Sequence, residues 1–407
     1  MNPNNVLEAL TLLETSPPQP ISTQLIRLFT LFQDVPAIVS KAFSVISLWQ
    51  YQDQKFSYEL FNILPLSFFH EYLRGQNILY VCSSLIIISN FVNDGGKMST
   101  QLYNEYSAEL FQLLHCSVEQ VQINAALVFT NLLMAKPFVG MDIAKTAVAV
   151  CVEAIASKSE LLITNSLIAL RNFSCNKDPQ VDSVMSTNAM GIWEKFVLVP
   201  KDVFDKNLAT VAVILSNSLM SNSTTLMNKI LETNIVETIA SLVRTNDDMM
   251  CKNGLFFFEN FIVDNNREVS FNLCERVSRL GIAEIANEVV AKQIRSLATV
   301  GEAMRFWVNY FDLCSIERIR PFYNNQMFID ALKRIMDVTD VRMVVKVMLI
   351  VRRICVDYQQ SGVSVQDFLD GNSLTDTIVM FTTQSESTKL RNVAINITKM
   401  YNDDSEF

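Results

Sequence analysis

The chain has 407 residues; half are hydrophobic and only 18% charged, with 10 Gly, 10 Pro, two His and a net charge of −9. So apolar a chain is not disordered over most of its length, and so little Gly and Pro leaves few β turns, which points to helix. The acidic balance argues against a general nucleic-acid binder, which needs a basic face to neutralise phosphates.

The chain opens with MNPNNVLEALTLLETSPPQPISTQLIR, where Arg27 is the first basic residue. A signal peptide needs a charged start and a transit peptide needs Arg, so neither is expected. SPPQP at 16–20 reads as a break between an N-terminal segment (1–20) and a single repeat array (21–402), and residues 403–407 read as an acidic tail. The longest apolar runs, ILYVCSSLIIIS (78–89) and GLFFFENFIV (254–263), fall short of the roughly 20 residues a membrane span takes. The eight Cys are dispersed and form no C-x-x-C. Most sit in apolar helical runs, as Cys151 does in TAVAVCVEAIA, and read as small buried hydrophobes. A cytoplasmic or nuclear location is expected, and the N-x-S/T triplets at Asn172, Asn222 and Asn396 are then chance matches.

One phrase recurs along the chain, an apolar helical run closing on Asn. It reads SSLIIISNFV at Asn90, NAALVFTNLL at Asn131, NSLIALRNFS at Asn172, LATVAVILSNSL at Asn217, KNGLFFFENFIV at Asn260 and GEAMRFWVNYF at Asn309. The intervals are 41, 41, 45, 43 and 49 residues. One period earlier the phase lands on Trp49; later it lands on Arg353 and Lys399, where the apolar pattern continues without Asn. About nine units follow, and a period of this length is the mark of a repeat architecture.

The grammar within a unit is clearest at 223–265. A short helix TLMNKILE ends at Thr233-Asn234, and a second, IVETIASLVR, ends at Thr245-Asn246. Asp247 or Asp248 then caps a third helix running to Val263, and Asn is expected to close helices in left-handed backbone. Residues 138–178 repeat the second and third helices. The third helix is apolar on nearly every side. Such a helix is buried on both flanks, which a stack of repeats provides and a lone unit does not.

These phrases resemble the armadillo repeat of the importin-alpha and beta-catenin families. NAALVFTNLL (124–133), NSLIALRNF (165–173) and NGLFFFENF (253–261) match its third-helix phrase, and the resemblance covers roughly 30–405. Asn188, Asn234 and Asn325 stand where the family places Gly between its first two helices. The resemblance implies an all-α, right-handed α-solenoid of about nine three-helix repeats, whose third helices line a concave groove. It further implies a non-enzymatic scaffold that holds an extended peptide there through Asn90, Asn131, Asn172, Asn217, Asn260 and Asn309. A second row, Asn124, Asn165 and Asn253, lies seven residues earlier on the same helix faces, about two turns back. An amide suits this work because it both donates and accepts. Equally, an Asn near a helix end can bond the neighbouring repeat's backbone. Importin-alpha carries Trp four residues before the Asn. Here those positions are Ile86, Leu127, Ile168, Val213, Phe256 and Arg305, and the family's basic autoinhibitory segment is not expected. An adaptor of that type without the segment, or a purely structural subunit of a larger complex, are the alternatives.

Charge is uneven. Residues 267–357 hold 14 Lys or Arg and 11 Asp or Glu, a net of +3. Arg342, Lys346 and Arg353 share one helix face at offsets of 4 and 7, with Arg305 and Lys399 on either side, and resemble the basic groove of beta-catenin that takes acidic ligands. Alternatively they are solvated charges, or pair with Asp337, Asp340 and Glu302. No catalytic motif, metal site or cofactor is expected. No Gly-rich phosphate loop, H-E-x-x-H or G-x-S-x-G occurs. His115 and Cys116 are neighbours on one helix pattern, and so point about 100° apart.

Overall fold

The structure is a computed structural model that describes residues 2–136, 139–221, 223–262 and 267–404. Asn222, Val263 and residues 405–407, named in the sequence readings above, lie outside the described residues. Among the described residues every regular element is helical, and nine repeats follow in chain order. The first is α1 (Pro3–Glu14), α2 (Ser22–Leu31) and α3 (Pro36–Gln52). The second is α4 (Gln54–Ile63), α5 (His70–Arg74) and α6 (Ile78–Asn93), with a 3-10 turn Leu66–Phe69 before α5. The next three have two helices each: α7 (Gly96–Leu114) and α8 (Glu119–Met134), α9 (Met141–Ala154) and α10 (Glu160–Ser174), α11 (Pro179–Phe196) and α12 (Lys201–Ser218). Three-helix repeats then return: α13 (Thr224–Leu231), α14 (Ile235–Val243) and α15 (Asp248–Phe261), then α16 (Arg267–Arg279), α17 (Ile282–Lys292) and α18 (Leu297–Leu313). The eighth is α19 (Ile316–Ile319), α20 (Gln326–Met336) and α21 (Val341–Gln360); the ninth is α22 (Val365–Gly371), α23 (Thr375–Gln384) and α24 (Thr388–Asp404).

The nine in-phase positions, Trp49 to Lys399, each fall in the last helix of a repeat. Asn172 and Asn396 are helical, on α10 and α24. Third helices start where short polar side chains cap free amides. Asn77 Oδ1 accepts from the Leu79 amide at 3.0 Å, Asp247 Oδ1 from Met250 at 2.8 Å and Asp340 Oδ1 from Arg342 at 2.9 Å. Two local expectations change. Asn188 joins no two helices: it lies inside α11, where its Nδ2 donates to Val184 O at 2.8 Å. Without a Gly or a cap there, the helix runs through. Nor do Asn residues close helices in left-handed backbone. Asn234 has φ −89° because it is already the N-cap residue of α14; among the described residues the non-Gly residues with positive φ are Gln293 and Ser373.

The chain divides into two compact units, 1–207 and 208–407. In the N-terminal unit α3 packs on α6, α6 on α8 and α8 on α10. In the C-terminal unit α15 packs on α18, α18 on α21 and α21 on α24. This accounts for the apolar character of the third helices: Leu85, Ile88, Phe91 and Phe129 are fully buried, as are Phe258, Trp307 and Ile350. The small residue after the earlier Asn has a steric cause. A Cβ on Gly254 would come within 2.8 Å of Val243 Cγ2, so α15 lies close on α14; Ala125 and Ser166 hold the same position and are fully buried.

The N-terminal segment is tied into its unit. Helix α1 packs on α3, and the buried Trp49 indole donates to Leu13 O and Ser16 O at 3.2 and 3.1 Å. Of the eight thiols, Cys151, Cys251, Cys274, Cys314 and Cys355 are buried, Cys82 and Cys116 half-buried and Cys175 exposed. No helix among the described residues is long and apolar enough to cross a membrane.

Candidate functional site

The surface to be tested is the row of third helices, unit by unit. In the N-terminal unit the Asn side chains form rungs between neighbouring repeats. Asn131 Nδ2 on α8 donates to Ser89 O at 3.0 Å and to Ser89 Oγ at 2.8 Å, on α6. Asn90 on α6 makes the same reach back, to Ser47 O at 3.4 Å and Gln50 Oε1 at 3.5 Å on α3. Both amides are only half-buried. Their Nδ2 groups are engaged with the preceding repeat, so the group of Asn131 left for a ligand is its carbonyl oxygen, an acceptor. On α10, Asn172 is exposed, its Oδ1 touched at 3.4 Å by Arg171, and Asn165 is half-buried. Asn124 differs. It is buried, accepts from Gln120 Nε2 at 3.2 Å and contacts the Cys82 thiol, so it belongs to the packing between repeats.

Between the two Asn rows the residue four before each Asn is accessible and apolar: Ile86 is 40% exposed, and Leu127 and Ile168 are half-buried. The N-terminal unit thus presents three adjacent helices, each with an amide and an aliphatic side chain in the same register.

The C-terminal unit uses the phase differently. Asn260 Nδ2 donates to Ser216 Oγ at 2.7 Å and Asn253 Nδ2 to Ala209 O at 3.4 Å, again towards the preceding third helix. Asn217 is buried. Asn309 Oδ1 accepts from Lys346 Nζ at 3.0 Å, and Lys346 also lies 3.8 Å from Asp312. Arg353 is spent on main chain: its guanidinium donates to Phe311 O at 3.1 Å, Asp312 O at 2.9 Å and Cys314 O, the open carbonyls at the end of α18. Arg305 bonds Glu259 at 3.2 Å and Glu302 at 2.6 Å. Arg342 projects into solvent with its side chain 93% exposed, near Asp340 at 3.5 Å, and Lys399 is exposed. The five basic positions therefore do not form one open basic stripe. Three are engaged within the fold, because carbonyl and carboxylate partners from the neighbouring repeat lie within reach.

The Glu259–Arg305–Glu302 cluster sets two carboxylates against one guanidinium. Burial, and next the hydrogen bond shared with Glu302, push the Glu259 carboxyl up to about 7. Glu302 is one of the carboxylates that the sequence offers as partners, and it pairs with Arg305; Glu259 lies one repeat earlier, and no spacing points to it. The Ser rungs did leave a signal: Ser89 and Ser216 each stand directly before an in-phase Asn. No group of three or more His, Cys, Asp or Glu among the described residues is placed to hold a metal ion.

No family model matches the chain, and no curated protein matches it. Among solved structures it is similar to an engineered protein over 97% of this chain and 95% of that one, at a TM-score of 0.69 and 14% identity. It is also similar, over 60% of its length, to computationally designed armadillo repeat proteins for modular peptide recognition, at a TM-score of 0.49 and 15% identity, covering 99% of that chain. A designed armadillo repeat protein in complex with the peptide (KR)4 gives a TM-score of 0.49 and 16% identity, over 60% of this chain and all of the other. The repeating phase, the packing of third helix on third helix and the fold-level likeness over nearly the whole chain make this an all-α solenoid of armadillo-like repeats.

Proposed function

We propose that the protein is a non-enzymatic scaffold that binds an extended segment of a partner protein across α6, α8 and α10 of the N-terminal unit. One observation carries the reading: Asn90, Asn131 and Asn172 recur in phase on helices packed side by side, partly or fully accessible, with Ile86, Leu127 and Ile168 beside them. Packed helices lie about 8–10 Å apart, which is about three residues of extended chain at ~3.3 Å each. One partner residue in three would then meet each repeat. The Asn131 carbonyl oxygen would accept a backbone N–H, Asn165 and Asn172 would supply further amide contacts, and the aliphatic row would take an apolar side chain. In the C-terminal unit, taken by itself, Arg342 and Lys399 are the basic positions left exposed.

The test is an affinity capture from extract with wild type and with an Asn131→Ala, Asn165→Ala, Asn172→Ala variant that keeps its circular dichroism. Partners held by wild type and lost by the variant support the reading. The same partners held by both would leave the array as a structural subunit.

A further inference from the structure

The Asn face of the N-terminal unit carries a second, aliphatic register. On α6, Leu79 and Ile86 lie eleven and four residues before Asn90; on α10, Leu161 and Ile168 lie eleven and four before Asn172; on α8 the same places hold Gln120 and Leu127. Four, seven and eleven residues are about one, two and three turns, so each set shares one helix face. Leu79 is 64% exposed, Leu161 60% and Ile86 40%. A single exposed aliphatic side chain is ordinary. Here the row Ile86, Leu127, Ile168 crosses three packed helices, and Leu79 and Leu161 extend it two turns back on the outer two. An apolar patch rimmed by amides in this way marks an interaction surface.

Charge is scarce on these helices. α6 has no charged residue, α8 has Glu119 alone, and α10 has Glu160 and Arg171. Glu119 and Glu160 are the first residues of their helices, and Glu160 pairs with Lys206 at 2.7 Å. Arg171 lies against Asn172 Oδ1 at 3.4 Å, at the far end of α10. A charged partner side chain would lose water against the aliphatic row and meet no counter-charge from α6 or from α8 beyond its first residue, which is costly.

Spacing selects the partner's backbone. Packed helices lie about 8–10 Å apart. A β-strand repeats a side-chain direction every second residue, about 6.6 Å along the chain, so its third residue on faces away. Polyproline II repeats every third residue, about 9.3 Å along the chain, and brings an equivalent side chain to each successive helix. It makes no internal hydrogen bonds, so its N–H and C=O groups are free for the amides of Asn131 and Asn172.

Taking this face as the one that holds the partner, we infer that the bound segment is uncharged, runs as polyproline II and carries an aliphatic side chain at every third residue. Those side chains meet Ile86, Leu127 and Ile168, and Leu79 and Leu161 widen the apolar contact.

The experiment measures binding of capped, labelled decapeptides to the full chain by fluorescence anisotropy. One peptide has Leu at every third position with Gln, Ser and Pro between. The second has the same composition with Leu at every second position. Two more replace the inner Leu residues of the first by Glu or by Lys. The every-third Leu peptide is expected to bind tightest, with the other three about tenfold weaker or more. Its affinity should change by less than about twofold between about 50 and 300 mM salt. Leu79→Gln, Leu161→Gln, at two exposed positions, should keep the melting temperature and weaken binding about fivefold. Equal or tighter binding of a charged peptide, or a steep fall with salt, would overturn the uncharged ligand. Equal binding of the every-second peptide would overturn the polyproline II register. No binding of the every-third peptide at about 1 mM would overturn the inference, while capture from extract still decides the proposed function. Conversely, binding that keeps this peptide order but is unchanged in Asn165→Ala, Asn172→Ala would support the aliphatic row and count against the amides of the proposed function.

Discussion

The two units stack the same kind of helix but tie their repeats together differently. In the N-terminal unit neutral rungs such as Asn131 to Ser89 stand beside ion pairs: Arg74 to Glu109 at 2.9 Å between α5 and α7, Lys195 to Glu153 at 2.9 Å between α11 and α9, and Lys206 to Glu160 at 2.7 Å between α12 and α10. In the C-terminal unit the rung recurs at Asn260 to Ser216, and guanidinium groups on helix-end carbonyls are added to it. Arg276 reaches Leu231 O at 2.6 Å and Thr233 O at 2.7 Å; Arg295 reaches Asn246 O and Thr245 O at 2.6 and 2.8 Å; Arg334 reaches Ala291 O at 2.7 Å. Arg353 does the same at the end of α18. A helix end leaves its last carbonyls open, and a planar fork of donors answers several at once. The difference teaches that a cationic stretch of sequence is not a cationic surface. Much of the +3 excess over 267–357 is consumed between repeats.

The largest expected effect breaks that comparison on the C-terminal side. Arg353→Met removes bonds to three carbonyls and leaves them partly buried, costing about 3 kcal/mol. Arg342→Met, at a side chain 93% exposed, costs almost nothing. Urea unfolding of the two variants measures the difference, and equal stabilities would return Arg353 to the surface.

A similar effect, of opposite sign, is expected at Glu259. Its folded-state carboxyl is raised from 4.5 to about 7, so the native state holds a proton that the unfolded chain has released. Stability from this group is full below about pH 4.5 and falls as pH rises through about 7. The loss above that range is about 3 kcal/mol at most. Glu259→Gln should therefore stabilise the protein at pH 8 and do little at pH 4.5, which melting curves at the two pH values read directly. A Glu259→Gln protein no more stable than wild type at pH 8 would contradict the raised carboxyl.

The smallest effect sharpens the N-terminal side. Asn131→Ala loses two cross-repeat bonds and costs about 1 kcal/mol. Asn172→Ala, exposed on α10, should change stability by less than about 0.5 kcal/mol. Chemical denaturation of each single variant decides this, and equal costs would mean the exposed amide is also a rung.

Periodicity made the frame legible. Six in-phase Asn positions and three Asn-free extensions placed the last helix of every repeat, and Asp247 marked the start of α15 from its place after Thr245-Asn246. Those signals are local, because burial on both flanks forces an apolar helix and a short side chain caps its start. What sequence did not disclose is set at a distance. Arg353 finds its carbonyl partners about 40 residues back, so its charge looked available. Asn188 looked like a helix break, but neighbours Val184 and Gly191 continue the helix through it.

The central claim is that the amide face of the N-terminal unit, rather than the residual charge of the C-terminal unit, holds the partner. It is tested most directly by the affinity of one captured partner segment for two double variants. Asn165→Ala, Asn172→Ala should weaken binding about tenfold or more with the melting temperature unchanged, while Arg342→Glu, Lys399→Glu should leave it within about threefold. The reverse order, with the charge variant losing binding and the amide variant keeping it, would contradict the account.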